Sequence, residues 1–193
     1  EQNPVKDAVL TTITMKDRIY PFTVKMYYKA YQHIDMIETW VEVSHKEKKA
    51  VVLKRFDSGH FLIRRGDVWI SSLHGHWGAE SQLESEPLVS GMKVMKNMDG
   101  IRNGLGDHSE VMFSLDGKPQ ENSGRVIGAA LCWSGRTKIR VDMDDTFGRF
   151  VHSVFAGMNE EASEYRLEPG EVFATPVLAL TYSQGVKLPK CGD

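Results

Sequence analysis

Along this chain apolar residues cluster in short runs rich in β-branched and aromatic side chains, separated by turn residues. No 3.6-residue period persists long enough to demand a helix. Three long strands are predicted first, Ala8–Met15, Ile19–Tyr28 and Ile34–Val43, and the short polar link Lys16-Asp17-Arg18 makes the first two a hairpin. Lys46-Glu47-Lys48-Lys49 is a solvated connection to Ala50–Phe56. Asp57-Ser58-Gly59 punctuates, and His60–Ile63 and Asp67–Leu73 pair around Arg64-Arg65-Gly66. From Gly75 to Gly106 glycines, charges and isolated apolar residues replace regular periodicity, which predicts a long, mostly irregular segment. Strands resume at Glu110–Leu115, Arg125–Trp133, Lys138–Met143 and Arg149–Phe155, with Asp116-Gly117 and the polar tip Lys118–Ser123 between the first two.

The stretch Tyr165 to Gly185 closes the pattern. Pro169 pre-sets φ and Gly170 tolerates φ > 0, so Glu168-Pro169-Gly170-Glu171 predicts a type II turn. Val172 and Phe173 begin one apolar segment, Thr175-Pro176 interrupts it, and Val177–Tyr182 forms a second, giving two short strands on either side of a kink. The fold class is therefore all-β, with two large antiparallel sheets packed face to face.

Bulk composition narrows the functional classes. The 193 residues include 24 Lys plus Arg and 26 Asp plus Glu, a net charge of −2 at pH 7. That leaves no cationic field for a phosphate backbone or an anionic membrane, and no apolar run reaches the length of a membrane span. Neither nucleic acid nor a membrane is expected as a partner. The start, Glu1-Gln2-Asn3-Pro4, lacks the regions of a signal peptide and reads as cut, so the compartment of this soluble segment stays open. Two cysteines are too few for a disulfide framework; Cys132 reads as a small buried hydrophobe and Cys191 as an exposed tail thiol.

Particular wording adds a resemblance. Leu167-Glu168-Pro169-Gly170-Glu171-Val172-Phe173-Ala174-Thr175-Pro176, followed by Thr181-Tyr182-Ser183, resembles the end of the N-terminal β-sandwich domain of bacterial α-galactosidases in glycoside hydrolase family 36. Gly124–Gly135 is similar to the family's strand ending in a Tyr/Trp-Ser-Gly-Asn corner, Ala156-Gly157-Met158-Asn159 to its Gly-Ile-Asn-Pro, and Leu73–Glu80 to its Gly-Arg-Trp-Ala-Arg-Glu segment. Departures fall in the connecting segments: His76 and Ala79 stand in place of two arginines, Arg136 in place of an Asn, and Val177 follows Thr-Pro where an acid is usual. Gly100–His108 echoes a Gly- and His-containing family loop only loosely.

The resemblance implies a galactose-mutarotase-like supersandwich formed by residues 1–193 as one excised N-terminal domain. It places the chemistry of a retaining glycosidase, a nucleophilic Asp and an acid/base Asp, in a (β/α)8 barrel that this chain lacks. The implied partners are an α-galactoside, held through the missing barrel of a bacterial cytoplasmic or periplasmic enzyme, and a second copy of the chain in a homo-oligomer. The implied role is to support the barrel active site or an oligomer interface, with no cofactor.

Candidate sugar or barrel-interface contacts are His74, His76, Trp77, Glu80 and His108. Trp77, if exposed on this loop, offers a platform on which sugar rings stack; the alternative, which the burial tendency of Trp favours, is an ordinary indole packed within the sandwich. His74, His76 and Glu80 also raise a metal reading, which the neighbouring Gly75 and Gly78 and the lack of a further spaced ligand argue against, so no metal is expected. Asp142, Asp144 and Asp145 lack the glycine and terminal Glu of a calcium loop and read as a solvated turn. The alternative function is a self-standing carbohydrate-binding module or an aldose-mutarotase-like enzyme, with Glu80 or Glu110 and His76 or His108 as its acid and base. If the domain packs on a barrel, Trp77 and Gly75–Gly106 should border an apolar side.

Overall fold

A computed structural model describes residues 2–5, 7–101, 105–144, 150–161 and 163–185. Asp145, Arg149 and Cys191, singled out in the sequence, lie outside these residues. Three antiparallel sheets contain every strand of the described chain. The largest has ten strands: β1 (Gln2–Val5), β2 (Ala8–Lys16), β3 (Phe22–Tyr31), β4 (Met36–His45), β7 (Trp69–His76), β8 (Ala79–Pro87), β10 (Gly106–Ser114), β11 (Arg125–Leu131), β15 (Val172–Ala174) and β16 (Leu178–Gln184). Their order is β1-β2-β3-β4-β16-β11-β10-β7-β8, with β15 also on β4. A four-stranded sheet, in the order β6 (Asp57–Ile63), β13 (Val151–Met158), β12 (Thr137–Asp144) and β9 (Gly91–Lys96), covers part of one face. A short pair, β5 (Val51–Leu53) and β14 (Tyr165–Leu167), completes the set.

Alternation decides which side chains meet between the two large sheets. On β12 Ile139 and Val141 point inward and Arg140 and Asp142 outward; on β13 Val154 and Ala156 point inward and Phe155 outward. Phe113 of β10 is fully buried and meets Phe61 of β6 edge to face at 5.9 Å between ring centroids. Ile70, Leu131 and Leu178 join them, so strands distant in sequence share one core.

Beyond the small sheet, β2, β3 and β4 extend as a two-faced wing. On its outer face Tyr27 stacks on Trp40 at 4.8 Å and donates to Glu42 at 2.8 Å, while Lys29 bridges Tyr31 and Glu38. Its other face, continuous with the sandwich interior, carries Met26, Tyr28, Thr39 and Val41, paired across the ladder as Met26 with Val41 and Tyr28 with Thr39.

The closing stretch forms as its residues dictate. Gly170 takes φ +85° and Glu171 N–H donates to the Glu168 carbonyl at 3.1 Å, the predicted type II turn. The kink has a partner: β15 and β16 both run along β4, and between them Thr175 N–H donates to the Val41 carbonyl while its Oγ1 accepts from Val41 N–H, each at 2.9 Å.

Several expectations need correction. Gly75–Gly106 is mostly strand, not loop, because β8 and β9 are held by ladder hydrogen bonds on sheet edges where no buried face imposes periodicity. The acid-rich β8, Ala-Glu-Ser-Gln-Leu-Glu-Ser-Glu-Pro, is a charged edge of the kind that resists pairing with other chains. Asp57-Ser58-Gly59 is not a break but the start of β6, where the register with β13 shifts; there a Cβ on Gly157 would sit 2.8 Å from Asp57 Cα. Cys132 is exposed rather than buried: it follows the inward-facing Leu131 and so alternates to the opposite face, with its N–H still donating to the Val177 carbonyl at 2.8 Å.

His152 links this core to pH. It is fully buried, its Nε2–H donates to the Arg65 carbonyl at 2.9 Å, and its Nδ1 has no partner. Burial pushes the imidazole below its ordinary value, with the Arg65 carbonyl pulling weakly the other way. The native ring thus stays neutral where the unfolded ring, near 6.5, has begun to charge. Its contribution is complete above about pH 6.5 and is lost as pH falls from there toward the depressed folded value. Urea titrations between pH 8 and pH 5 should show a loss with a limiting slope of about 1.4 kcal/mol per pH unit from this one group, which His152→Gln should remove. An unchanged slope in that variant would show that His152 is not the group responsible.

Candidate functional site

The described residues that gather the sequence candidates lie at one end of the large sheet. Strands β7 and β8 are joined by the two residues Trp77 and Gly78, with His76 facing Ala79 across the turn. Gly78 takes φ +81°, a left-handed conformation that side chains resist, so the tight turn depends on glycine at that position. Such a short turn leaves no neighbour to cover its first residue, and Trp77 is 88% exposed.

Around the turn the polar candidates converge in part. Glu80 accepts from Gly78 N–H at 3.1 Å; this bond, then its own backbone N–H, and finally nearby His76 hold its carboxyl below the usual range. The carboxylate therefore stays charged at the turn. His74 faces Gln82 across the ladder and places Nε2 3.6 Å from Glu84 Oε1. His108, from β10, turns instead toward Glu110, with Nδ1 3.0 Å from Oε1, and toward Ser81, with Nε2 3.4 Å from Oγ. Among the described residues no three of His, Cys, Asp and Glu come close enough to hold a metal ion. What the arrangement offers is an exposed indole on a tight turn, which suits stacking, with separate polar pairs on the strands that lead from it.

Sequence reasoning missed Ser81, and it expected an apolar side along this segment without naming its residues. Leu83 is 69% exposed on β8 and Ile101 81% exposed, with Val89 and Met92 also open to solvent. Isolated apolar residues among charges were their only signal. Pairing of β8 with β7 and of β9 with β12 leaves Leu83 and Met92 individually open to solvent on the edges of two different sheets.

The comparisons with known proteins agree with one another. The Glycosyl hydrolase family 36 N-terminal domain matches residues 2–168. The α-galactosidase Mel36A of Lactobacillus acidophilus is 27% identical over 177 residues, and the α-galactosidase AgaA of Geobacillus stearothermophilus 29% over 181 residues. Each alignment covers 92% of this chain and 24% of the relative, so the chain spans about a quarter of the length of these relatives. The crystal structure of AgaA superposes with a TM-score of 0.85 at 25% identity, covering 93% of this chain and 24% of that one. Variants of that enzyme have been crystallised with raffinose and with stachyose. A galactose mutarotase related enzyme from Lactobacillus acidophilus matches with a TM-score of 0.58 at 12% identity, over 98% of this chain and 73% of that one, a likeness of fold alone.

Proposed function

This chain belongs to the glycosyl hydrolase family 36 N-terminal domain family, and from that premise we propose that it is the single, non-catalytic N-terminal domain of a retaining glycoside hydrolase acting on terminal α-galactosides. The observation that carries the reading is the family match over nearly the whole chain together with its span of only a quarter of each relative. Retention needs two carboxyl groups about 5–5.5 Å apart across the scissile bond. In this reading that pair, and the galactoside itself, belong to a barrel that follows the domain. The hairpin carrying Trp77, with His74, His76, Glu80 and His108 behind it, is the element offered to the barrel rim or to a neighbouring copy. Its support is the exposure of a large aromatic beside ionised and hydrogen-bonding groups.

The purified 193-residue chain should therefore release no nitrophenol from nitrophenyl α-galactoside, whereas the full-length product of its gene should do so. Hydrolysis by the purified chain, or a full-length product with no activity on any α-galactoside, contradicts the reading.

One observation favours a second reading as an aldose-mutarotase-like enzyme. His108 and Glu110 lie within hydrogen-bond reach and could serve as base and acid on a sugar ring. Accelerated anomerisation of galactose by the chain, abolished by His108→Ala, would promote it.

A further inference from the structure

The geometry points to a carbohydrate-binding site far from Trp77 in the fold's order of strands, in the cleft between the β2–β4 wing and the edge of the small sheet, taking one neutral pyranose ring. This goes beyond the glycosidase reading and requires no catalytic domain. The cleft encloses about 650 Å³, within the range of roughly 300–1,000 Å³ usual for small-molecule sites. Its two walls differ in chemistry.

One wall is the interior-facing side of the wing. Met26, Tyr28 and Val41 present an apolar and aromatic surface suited to the C–H face of a sugar. The Tyr28 hydroxyl makes no hydrogen bond to another described residue, which leaves a donor and acceptor at the border of that surface.

The facing wall is polar and held in place. Asp57 Oδ2 accepts from Arg55 Nε at 3.0 Å, and the Asp57 side chain is only 16% exposed. Arg55 lies 5.1 Å from the centre of the Phe155 ring, and His60 stacks on the same ring at 4.4 Å. Phe155, which also carries Arg140 at 4.3 Å with its own partner Asp142, thus packs against both groups without using their hydrogen-bonding capacity, and Phe155, Arg55 and His60 all line the cleft. Beside them Ser58 Oγ is buried with no partner.

An arginine next to a carboxylate offers donors and acceptors in alternation, the pattern that adjacent hydroxyl groups satisfy. The same pairing disfavours charged ligands: Asp57 opposes an anion and Arg55 opposes a cation. An apolar plane opposite a charge-balanced hydrogen-bonding wall therefore selects a neutral polyol ring.

The test uses the 193-residue chain itself. Methyl α- and β-pyranosides of galactose, glucose and mannose are titrated by calorimetry, with amide chemical-shift mapping of the bound form. The expected result is saturable binding of at least one pyranoside, with shifts centred on residues 55–60 and 28. Asp57→Asn and His60→Ala should each weaken it about tenfold or more, as expected for loss of a hydrogen bond to a charged or well-oriented group. Trp77→Ala should leave it unchanged, which separates this site from the proposed hairpin contact. Shift mapping on the unaltered chain decides the matter even if a variant fails to fold. Absence of saturable binding, as when a protein segment rather than a sugar fills the cleft, overturns the proposal. So does binding that survives both cleft substitutions or shifts confined to the Trp77 turn.

Discussion

Replacing Trp77 by alanine should leave the stability of the isolated chain within about 0.5 kcal/mol and weaken assembly of the longer enzyme by at least about 2 kcal/mol. The first half follows from exposure: an indole that is 88% open to solvent has little burial to lose. The second half follows from the proposed role. Aromatic anchors that become desolvated at an interface carry a disproportionate share of its energy, typically about 2–4 kcal/mol on truncation. Denaturant titration of the chain checks one side. Sedimentation of the full-length enzyme, together with its turnover of an α-galactoside, checks the other. If both properties survive the substitution, the hairpin is not the contact proposed here. A variant that destabilises the isolated chain by several kcal/mol would instead mean that Trp77 packs within the domain.

Phe113→Ala should have the opposite profile, a large loss of stability in the isolated chain. Phe113 is fully exposed to neither solvent nor a sheet edge; it lies between the two sheets against Phe61 and has no accessible surface. Truncating a buried phenylalanine costs about 3–5 kcal/mol through lost burial and the cavity left behind. In a domain of this size each kcal/mol lowers the melting temperature by about 2–4 °C, so a fall of roughly 6–20 °C is expected in a thermal scan. A shift below that range would mean that the sheets close over the gap, and Phe113→Leu, which refills most of the volume, should restore most of the loss.

The long strands β2, β3 and β4 were legible because β-branched and aromatic residues fill them and polar turns bound them. The turn at Pro169-Gly170 was legible for a more local reason: only certain backbone angles suit those two residues, and Gly170 adopts the positive φ expected of it. Strands β8 and β9 were not legible. An edge strand needs hydrogen bonds from one neighbour and no buried face, so its side chains carry no periodic signal. The start of β6 was obscured similarly, since Asp57, Ser58 and Gly59 are turn residues by preference and strand residues only because β13 pairs with them through a register shift. Cys132 was misjudged because its apolar neighbours Ala129 and Leu131 face the core, which puts the residue after Leu131 on the opposite face.

Among the candidate contacts, the sequence by itself determined only that Trp77 would sit in a glycine-containing connection; that this is a two-residue turn leaving the indole exposed was decided by the pairing of β7 with β8. It could not determine that His108 would turn to Ser81, 27 residues away, because that contact depends on β10 pairing with β7 and β7 with β8, whereas the contact with Glu110 is local, two residues along β10. Nor could it bring Tyr28 opposite Asp57 and His60, which only the packing of one sheet over part of another achieves. Local chemistry determined the strands and the tight turns, since φ preferences and side-chain alternation act over a few residues. Which strands become neighbours, which of their faces stay open and which polar groups share a cleft were decided by the burial of one core common to distant segments.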